Sequence, residues 1–261
     1  CVARNIDNKP ITNARIKYIK WDFKSFRKSD MLFLNQANIV INCVGKIIND
    51  QKSTQKINII FIEKLLKYIN TSKFKIRFIH LGSVSVYGIN KYSIGHYKLI
   101  SENSSTKSID FYSKSKLEGD LLIQNNVKKN LNKCFSYTIL RISNVFGGEK
   151  KSNLLKFIKL NLKYNFWVRS SKNILFNFIN VKDVAQAVVL IISKLKVSKN
   201  KIYIVSDDCE QNLVYRKYEK IYKKKIKIIN IPIGLIKIVV NYVPLPKKIL
   251  NFFLIVSSKT S

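Results

Sequence analysis

Apolar residues recur along this chain with two periods, one typical of buried strands and the other of amphipathic helices. Short apolar runs that fit strands lie at 16–20, 40–44, 75–81, 136–142 and 201–205. Apolar positions spaced three and four residues apart predict helices over 54–69, 111–125, 152–164 and 183–195. Strands that alternate with helices in this way predict an α/β fold with an open, mostly parallel sheet.

Small and polar residues stand where the predicted strands end. Gly45, Ser83, Ser143 and Asn144 all occupy such positions. In an open parallel sheet, ligands bind outside the carboxyl ends of the strands. The pattern therefore predicts a ligand site at this edge of the sheet.

Tyr112 and Lys116 stand four residues apart on a predicted helix and share one face of it. The ammonium of Lys116 can lie beside the phenol of Tyr112 and favour its ionised form. Ser83, at the end of the preceding strand, is placed to orient a substrate hydroxyl toward that phenolate. Together these side chains are the parts for proton transfer at a carbon-bound hydroxyl, coupled to hydride transfer.

Five segments form an ordered set around these residues. They are Val-Ile-Asn-Cys-Val-Gly at 40–45, Ser-Val-Ser-Val-Tyr-Gly at 83–88, Tyr-Ser-Lys-Ser-Lys at 112–116, Leu-Arg-Ile-Ser-Asn-Val-Phe-Gly at 140–147 and Phe-Ile-Asn-Val-Lys-Asp-Val-Ala at 178–185. The set resembles the extended short-chain dehydrogenase/reductase family, the NAD-dependent sugar-nucleotide epimerases and dehydratases, over roughly residues 1–205. The resemblance implies a Rossmann-like, mostly parallel sheet with helices on both faces, lacking the first βα unit, plus a small C-terminal substrate lobe.

The lacking unit is the one that carries the family's Gly-x-x-Gly-x-x-Gly turn. The chain starts at Cys1 with what resembles the second strand, so we expect it to be truncated at the N-terminus. That turn and the helix behind it donate backbone N–H groups to the pyrophosphate. We therefore expect the chain as written to bind NAD weakly.

The resemblance also implies a division into domains. Residues 1–150 form the truncated dinucleotide-binding domain, and residues 151–261 form mainly the substrate lobe, with 176–205 returning to the Rossmann-like part. No low-complexity linker separates the two.

The roles of individual residues follow from the same resemblance. Tyr112 is the general acid/base, Lys116 assists it and binds the nicotinamide ribose, and Ser83 holds the reacting oxygen. Ser85 and Asn144 contact the substrate, although Asn144 also fits a simple turn residue. The residues implied to hold NAD are Arg4, Asp22, Phe23, Val44, Gly45, Asn58, Tyr112 and Lys116.

Some of these positions admit other interpretations. Asp22 is placed to contact the adenine, but it also fits a cap of the following helix, as does Asp183 for a later one. Arg4 ends a strand where a cation favours the 2′-phosphate of NADP, so NAD and NADP stay open.

The implied activity is NAD(P)-dependent epimerase or dehydratase chemistry on a nucleotide-sugar, in surface-polysaccharide synthesis. Many such epimerases carry an arginine where this chain has Phe176. A reductase of another keto or hydroxy compound is therefore the alternative. A further alternative is a non-catalytic relative that keeps the fold without the phosphate-binding turn.

The net charge of +33 invites a nucleic-acid interpretation. The chain has 41 Lys but only 7 Arg, and lysine is spread from end to end. Base readout and bidentate phosphate contacts favour arginine, and abundant Lys, Asn and Ile together fit an AT-rich genome. We therefore expect no specific nucleic-acid partner, but an attraction for anionic ligands.

The spacing of the cysteines and the lengths of the apolar stretches predict where the protein is located in the cell. The cysteines Cys1, Cys43, Cys134 and Cys209 lack metal-ligand spacing, which predicts no metal site and a reducing, cytoplasmic location. Cys43 is predicted to be a small buried strand residue. No run reaches the about 20 apolar residues of a membrane span, and 233–256 fits two short helices around a Pro-Leu-Pro break. Relatives often pair through the helix that carries the tyrosine, which suggests a homodimer.

Overall fold

The computed structural model describes residues 1–3, 13, 15–21, 32, 34, 36–45, 54–71, 75–88, 98–129, 135–148, 163–164, 166–170, 175–223, 225, 227–232, 235 and 258–260. The strands in these ranges are β1 Val2–Ala3, β2 Ile19–Lys20, β3 Ile39–Asn42, β4 Ile76–Ser83, β5 Lys98–Ile100, β6 Phe135–Ile142, β7 Asn144–Phe146, β8 Phe166–Ser170, β9 Leu175–Asn180, β10 Lys201–Val205, β11 Asp207–Glu210, β12 Lys227–Ile231 and β13 Ser258–Thr260. The helices are α1 Phe61–Ile69, α2 Phe111–Lys129, α3 Val181–Ser193 and α4 Gln211–Tyr222, with a π-helical turn at Lys56–Ile60 and a 3₁₀ turn at Val84–Tyr87.

The main sheet has four parallel strands in the order β10-β6-β4-β3. Their register aligns Ser83 with Ile142 and Ile142 with Val205, so β4, β6 and β10 end together at one edge. Strand β3 ends nearby, with Asn42 paired to His80. The predicted open, parallel α/β sheet is therefore confirmed, and the strand expected at 201–205 is found with the same bounds. The strand expected at 16–20 is shorter, because β2 pairs with β1 over only Ile19 and Lys20.

Helices α1 and α2 cover one face of this sheet. Phe61, Ile62 and Leu65 of α1 join Ile123 of α2 and Phe78 of β4 in one buried apolar cluster. The buried positions of α2 repeat every three or four residues and so lie on one side of the helix; they are Ser113, Ser115, Lys116, Gly119, Asp120 and Ile123.

One prediction about α2 is wrong. The apolar pattern of 111–125 predicts Leu117, Leu121 and Leu122 on the core side of this helix, but the side chain of Leu121 is 45% exposed. It follows Asp120 by one residue, and that step rotates it about 100° away from the buried face. Leu117 and Leu122 are half-buried.

Helix α3 covers the opposite face. Val184 and Ile191 of α3 pack with Ile79 of β4 and Leu140 of β6. Since successive residues of a strand point to opposite faces, β4 supplies Phe78 to one cluster and Ile79 to the other. Helices therefore lie on both faces of the sheet, as the resemblance implies.

The start of α3 differs in one detail from the sequence interpretation. Asn180 is the N-cap, because its side chain accepts a hydrogen bond from the backbone N–H of Lys182 at 2.9 Å. Asp183 lies in the first turn and is not the cap.

A smaller three-stranded sheet of order β11-β9-β7 follows the main one. Strand β7 is parallel to β9, and β11 is antiparallel to it. Three further pairs, β1 with β2, β8 with β12 and β5 with β13, are parallel. Of the helices predicted at 152–164 and 233–256, only residues 163, 164 and 235 are described, and all three are helical. Among the residues that are described, no helix has the length and apolar character to cross a bilayer.

Candidate active site

The ends of β4 and α2 bring two of the predicted residues into contact. Ser83 is the last residue of β4, and Tyr112 is the second residue of α2. The Ser83 hydroxyl lies close enough to the phenol of Tyr112 to lower its pKa. The oxygen of Ser83 also accepts the backbone N–H of Ser85 at 3.2 Å, which fixes the 3₁₀ turn that follows the strand. A serine hydroxyl and a phenol therefore share one point at the carboxyl edge of the sheet.

Lys116 lies one turn further along α2 and is only 4% exposed. Its Nζ donates to the backbone carbonyl of Leu81 in β4 at 2.8 Å. A Cβ placed on Gly45, just beyond β3, would lie 3.8 Å from this Nζ. Lys116 thus spans from α2 to the ends of β3 and β4, and places a cation at the predicted ligand edge.

Burial opposes the charge of both groups. It raises the pKa of Tyr112; the Ser83 hydroxyl lowers that pKa, and Asp110 and Asp120 raise it further. Burial lowers the pKa of Lys116, whereas Asp120 and Cys43 raise it. The lowered phenol pKa expected from Lys116 is thus not found in the chain by itself, because burial outweighs the favourable contacts of the phenolate.

Asn58 supports the start of α2 from behind. It is buried in the π-helical turn before α1, and its Nδ2 donates to Ser115 Oγ at 2.9 Å. Ser115 Oγ in turn donates to the backbone carbonyl of Tyr112 at 2.7 Å. The chain of bonds ties the backbone at Tyr112 to the π-helical turn, a type of distortion that is frequent at functional sites.

Two glycines allow α2 to come this close, and the sequence interpretation overlooked both. A Cβ on Gly119 would lie 2.8 Å from Ile62 Cδ1 and 3.0 Å from the carbonyl oxygen of Asn58. A Cβ on Gly82 would lie 3.2 Å from Asp120 Oδ1. All three distances are tighter than ordinary van der Waals contact, so larger residues would push the helix away from the sheet.

The end of β3 contributes backbone rather than side chains to the edge. Val44 is half-buried and Gly45 is exposed. Cys43 is exposed, which corrects the prediction of a small buried strand residue. The reason is that β3 ends at Asn42, whose side chain turns inward and accepts the N–H of Val44 at 3.0 Å.

A buried polar cluster lies beneath the site and was missed at the level of sequence. Arg141 Nε donates to Asp120 Oδ2 at 3.0 Å, and Arg141 Nη1 donates to Tyr87 Oη at 2.7 Å. His80 Nε2 lies 3.9 Å from Asp120 Oδ1. The available signals were a carboxylate four residues after Lys116 and a charged residue within an apolar strand.

The predicted substrate residues lie at the same edge. Asn144 begins β7, two residues after Ile142, which is paired with Ser83. It is exposed, and its Nδ2 donates to the carbonyl of Asn177 in β9 at 3.2 Å. Ser85 is half-buried, and its hydroxyl has no hydrogen-bond partner among the described residues.

Three predicted cofactor contacts, Arg4, Asp22 and Phe23, lie outside the described residues. Their neighbour Trp21 is buried and packs on Phe61, with ring centroids 5.8 Å apart. Phe176 pairs with Cys209 between β9 and β11.

The family model described as the NAD dependent epimerase/dehydratase family matches residues 2–206 of the chain. The chain belongs to this family. Because the match spans residues 2–206, it covers both the sheet and the residues around Ser83, Tyr112 and Lys116. The members of this family are enzymes. No curated protein sequence matches the chain.

Several solved structures share the fold of this chain. UDP-glucuronic acid 4-epimerase from Bacillus cereus in complex with NAD has a TM-score of 0.68 at 19% identity, covering 84% of this chain and 70% of its own. dTDP-glucose 4,6-dehydratase from Bacillus anthracis with NAD gives 0.67 at 15% identity, with 87% and 72% covered. The protein RMD from Pseudomonas aeruginosa, complexed with NADPH, gives 0.62 at 17% identity, with 86% and 81% covered. At these identities the likeness establishes a shared Rossmann-like fold.

Proposed function

We propose that this chain performs NAD(P)-dependent epimerase or dehydratase chemistry on a nucleotide-sugar, with Ser83, Tyr112 and Lys116 as the acid-base residues. The placement of Ser83, Tyr112 and Lys116 together at the carboxyl edge of the sheet carries this proposal. They lie where ligands bind in open α/β sheets. Family membership and the NAD or NADPH held by the solved neighbours support it.

The residues around Gly45 fit a nicotinamide cofactor. Gly45 is exposed, and a side chain there would fill the space beside Lys116 Nζ and Asn58 Oδ1, at 3.8 and 3.9 Å. An ammonium has three donors, and the bond to Leu81 uses one of them. We infer that Lys116 donates to a ribose hydroxyl and that Val44, Gly45, Asn58 and Tyr112 complete the nicotinamide side.

The adenosine side is assigned from the sequence alone. Asp22 and Phe23 are the proposed contacts of the adenine end, and Arg4 is the residue that would favour NADP over NAD.

The bound nicotinamide would accept a hydride from the carbon that carries the substrate hydroxyl. Tyr112 Oη would take the hydroxyl proton, and Ser83 Oγ would hold the reacting oxygen. Because burial raises the pKa of Tyr112, release of its proton near neutral pH requires positive charge close to the phenolate. Lys116, buried on the same face of α2, is the side chain placed to supply it.

The substrate proposal rests on charge and on the strand ends. A chain with a net charge of +33 attracts an anionic nucleotide-sugar. Ser85 and Asn144 are the proposed substrate contacts, because both follow strands that end beside Ser83. More specifically, we propose that the reaction is an isomerisation in polysaccharide synthesis.

A reductase of another keto or hydroxy substrate is the second candidate function. It is favoured by Phe176, an apolar residue where many sugar-nucleotide epimerases carry arginine. Loss of catalysis with retention of the fold is the third, and the intact Ser83, Tyr112 and Lys116 argue against it.

The remaining proposals concern assembly, domains and location. Leu121 and Phe111 are 45% and 52% exposed on α2, which supports pairing of two copies through this helix. Residues 1–150 and 151–261 stay the proposed domains. Free thiols at Cys1, Cys43 and Cys209 fit the proposed reducing cytoplasm.

The test is turnover by the protein expressed with all in-frame codons that precede Cys1. The protein is incubated with NAD and UDP-glucose, UDP-glucuronic acid or dTDP-glucose, and the products are separated by ion-exchange chromatography. In parallel, NADPH oxidation is followed with a panel of simple ketones. Epimerised or dehydrated sugar supports the first function, and ketone reduction alone supports the second.

The matched variant is Tyr112→Phe, which removes one hydroxyl and keeps the ring. We expect it to abolish turnover, while the loss of the hydroxyl beside Ser83 costs at most about 1 kcal/mol of stability. Turnover near that of the unmodified protein would refute the role of Tyr112.

A further inference from the structure

The polar cluster beneath the site contains four nearly inaccessible side chains. His80 and Asp120 are 0% exposed, Tyr87 is 1% exposed and Arg141 is 3% exposed. Burying charges costs free energy unless they are paired and hydrogen-bonded. None of these side chains has a part in the proton transfer proposed above, so their presence in the core calls for another role.

The hydrogen bonds fix how the cluster is oriented. Asn42 Oδ1 accepts the N–H of Val44, so its Nδ2 is the group that faces His80 Nδ1 at 3.1 Å. His80 therefore accepts at Nδ1 and, when neutral, carries its proton on Nε2. Nε2 points at Asp120 Oδ1 across 3.9 Å, and neither atom has a closer partner among the described residues.

Asp120 is held from three sides. Arg141 Nε bonds its Oδ2, and Arg141 also stacks on Tyr87 with its Cζ 4.8 Å from the ring centroid. Gly82 leaves room for Oδ1, since a Cβ there would lie 3.2 Å from it. His80 Nε2 faces the same oxygen. The carboxylate is thus built into the junction of α2, β4 and β6.

Lys116 is the neighbour that this carboxylate serves. It precedes Asp120 by four residues and lies on the same face of α2. The other groups around its ammonium are Cys43 beyond β3, Asn58 of the π-helical turn, and the carbonyl of Leu81 and His80 of β4. Tyr112 precedes it by one turn on α2. Of these, a neutral imidazole, an amide and a carbonyl provide no net negative charge.

We propose that Asp120 is a positioning residue for Lys116, which keeps the buried ammonium charged at the end of β3. Arg141 and Gly82 hold the carboxylate in place, and His80 closes its remaining side. The inference rests on the proposed function only for its catalytic meaning, since the charge of Lys116 can be measured without turnover. In agreement with it, Asp120 is the largest contribution that raises the pKa of Lys116 against burial.

The experiment is an NMR titration of protein labelled with ¹³C at the lysine Cε carbons. The signal of Lys116 is assigned by its loss in Lys116→Arg. We compare Asp120→Asn with Glu118→Gln, which removes a carboxylate from the exposed side of the same helix. We expect the pKa of Lys116 to fall in Asp120→Asn and to stay unchanged in Glu118→Gln.

Arg141 loses its charge partner in Asp120→Asn, so the single variant can fail to fold. The double variant Asp120→Asn with Arg141→Gln replaces the ion pair by two amides and is titrated in the same way. It is expected to show the same fall, because Lys116 again lacks the carboxylate. An unchanged pKa of Lys116 in the variant that folds overturns the inference.

The pH dependence of turnover provides the catalytic readout. A less charged Lys116 stabilises the Tyr112 phenolate less, so the rising limb of kcat/KM moves to higher pH in Asp120→Asn. At the foot of that limb, kcat/KM is expected to fall about tenfold, the change that one pKa unit produces. If the unmodified protein shows no turnover, the proposed function fails, while the NMR titration still decides the inference.

Discussion

One methyl group added at Gly119 tests how closely α2 packs against α1 and the π-helical turn. An alanine at 119 gains up to about 1 kcal/mol of helix propensity over glycine. Its Cβ, however, would lie 2.8 Å from Ile62 Cδ1 and 3.0 Å from the carbonyl of Asn58. Overpacking of this kind costs about 1–3 kcal/mol. We therefore expect Gly119→Ala to lose about 0–2 kcal/mol of stability.

The reasoning is decided by a second variant that removes the contacting atom. Ile62 is 1% exposed, so Ile62→Val alone should cost about 1 kcal/mol. In the double variant, the alanine methyl takes the space that Cδ1 leaves. The double loss should therefore be smaller than the sum of the single losses by about 1 kcal/mol, the range found for residues in contact.

The assay is urea unfolding, monitored by circular dichroism, of the unmodified protein, the two single variants and the double variant. Ile69→Val is the matched control. Ile69 lies on α1 like Ile62 and is 3% exposed, but none of its atoms is within 4 Å of a Cβ placed on Gly119. Its combination with Gly119→Ala should be additive. Additivity within about 0.5 kcal/mol for the Ile62 pair as well would refute the contact.

Further predictions concern the polar residues around the site. Burial and Lys116 hold the pKa of His80 well below 6.5. As the pH drops below 6.5, the imidazole is therefore protonated in the unfolded chain before it is protonated in the folded one. The free energy of unfolding should then fall by up to about 1.4 kcal/mol per pH unit. Urea unfolding at several pH values should show that slope reduced in His80→Gln, and an equal slope would contradict the assignment. Arg141→Gln leaves the Asp120 carboxylate buried without its cation and should cost about 3–5 kcal/mol; addition of Asp120→Asn should recover part of it, and no recovery would count against the ion pair. Asn58→Ala leaves Ser115 without its buried donor and should cost about 1–3 kcal/mol in the same assay; a loss below about 0.5 kcal/mol would show that the bond is unimportant.

The central strands β4 and β6 were predictable because nearly all of their residues are buried, on both faces of the sheet. Residues 202–205 form a half-buried apolar run in β10, and such continuous runs are typical of parallel strands. The same argument does not reveal which side of a helix faces the core. Leu121 is as apolar as its neighbours, and only the close fit of Gly119 and Asp120 against α1 and β4 decides which side of α2 turns inward.

The catalytic candidates and the polar cluster differ in how local their signals are. Tyr112 and Lys116 lie on one helical face, so a short spacing reveals them. His80, Asp120 and Arg141 lie on three elements, and each looks like an ordinary polar residue in sequence. Their grouping depends on the alignment of β4 with β6, which pairs His80 with Ile139 and Gly82 with Arg141. Such register is not encoded within any one segment.

Cys43 shows the limit of apolar patterning at strand ends. It follows the apolar run Ile39–Ile41 closely and precedes Val44, yet β3 stops at Asn42, where the inward side chain accepts a hydrogen bond from the backbone N–H of Val44. A local side-chain to backbone bond of this kind competes with continued strand pairing.

The alternation along β4 determines which sequence changes this protein can tolerate. Phe78, His80 and Gly82 face α2, whereas Ile79 and Leu81 face α3. An inserted or deleted residue in this strand would exchange the two sets, because the side-chain period is two. The imidazole would then meet the aliphatic layer under α3, and an isoleucine or leucine would meet the Asp120 carboxylate. In a library of variants, single-codon insertions should therefore be purged from β4, whereas conservative apolar replacements at Ile79 survive.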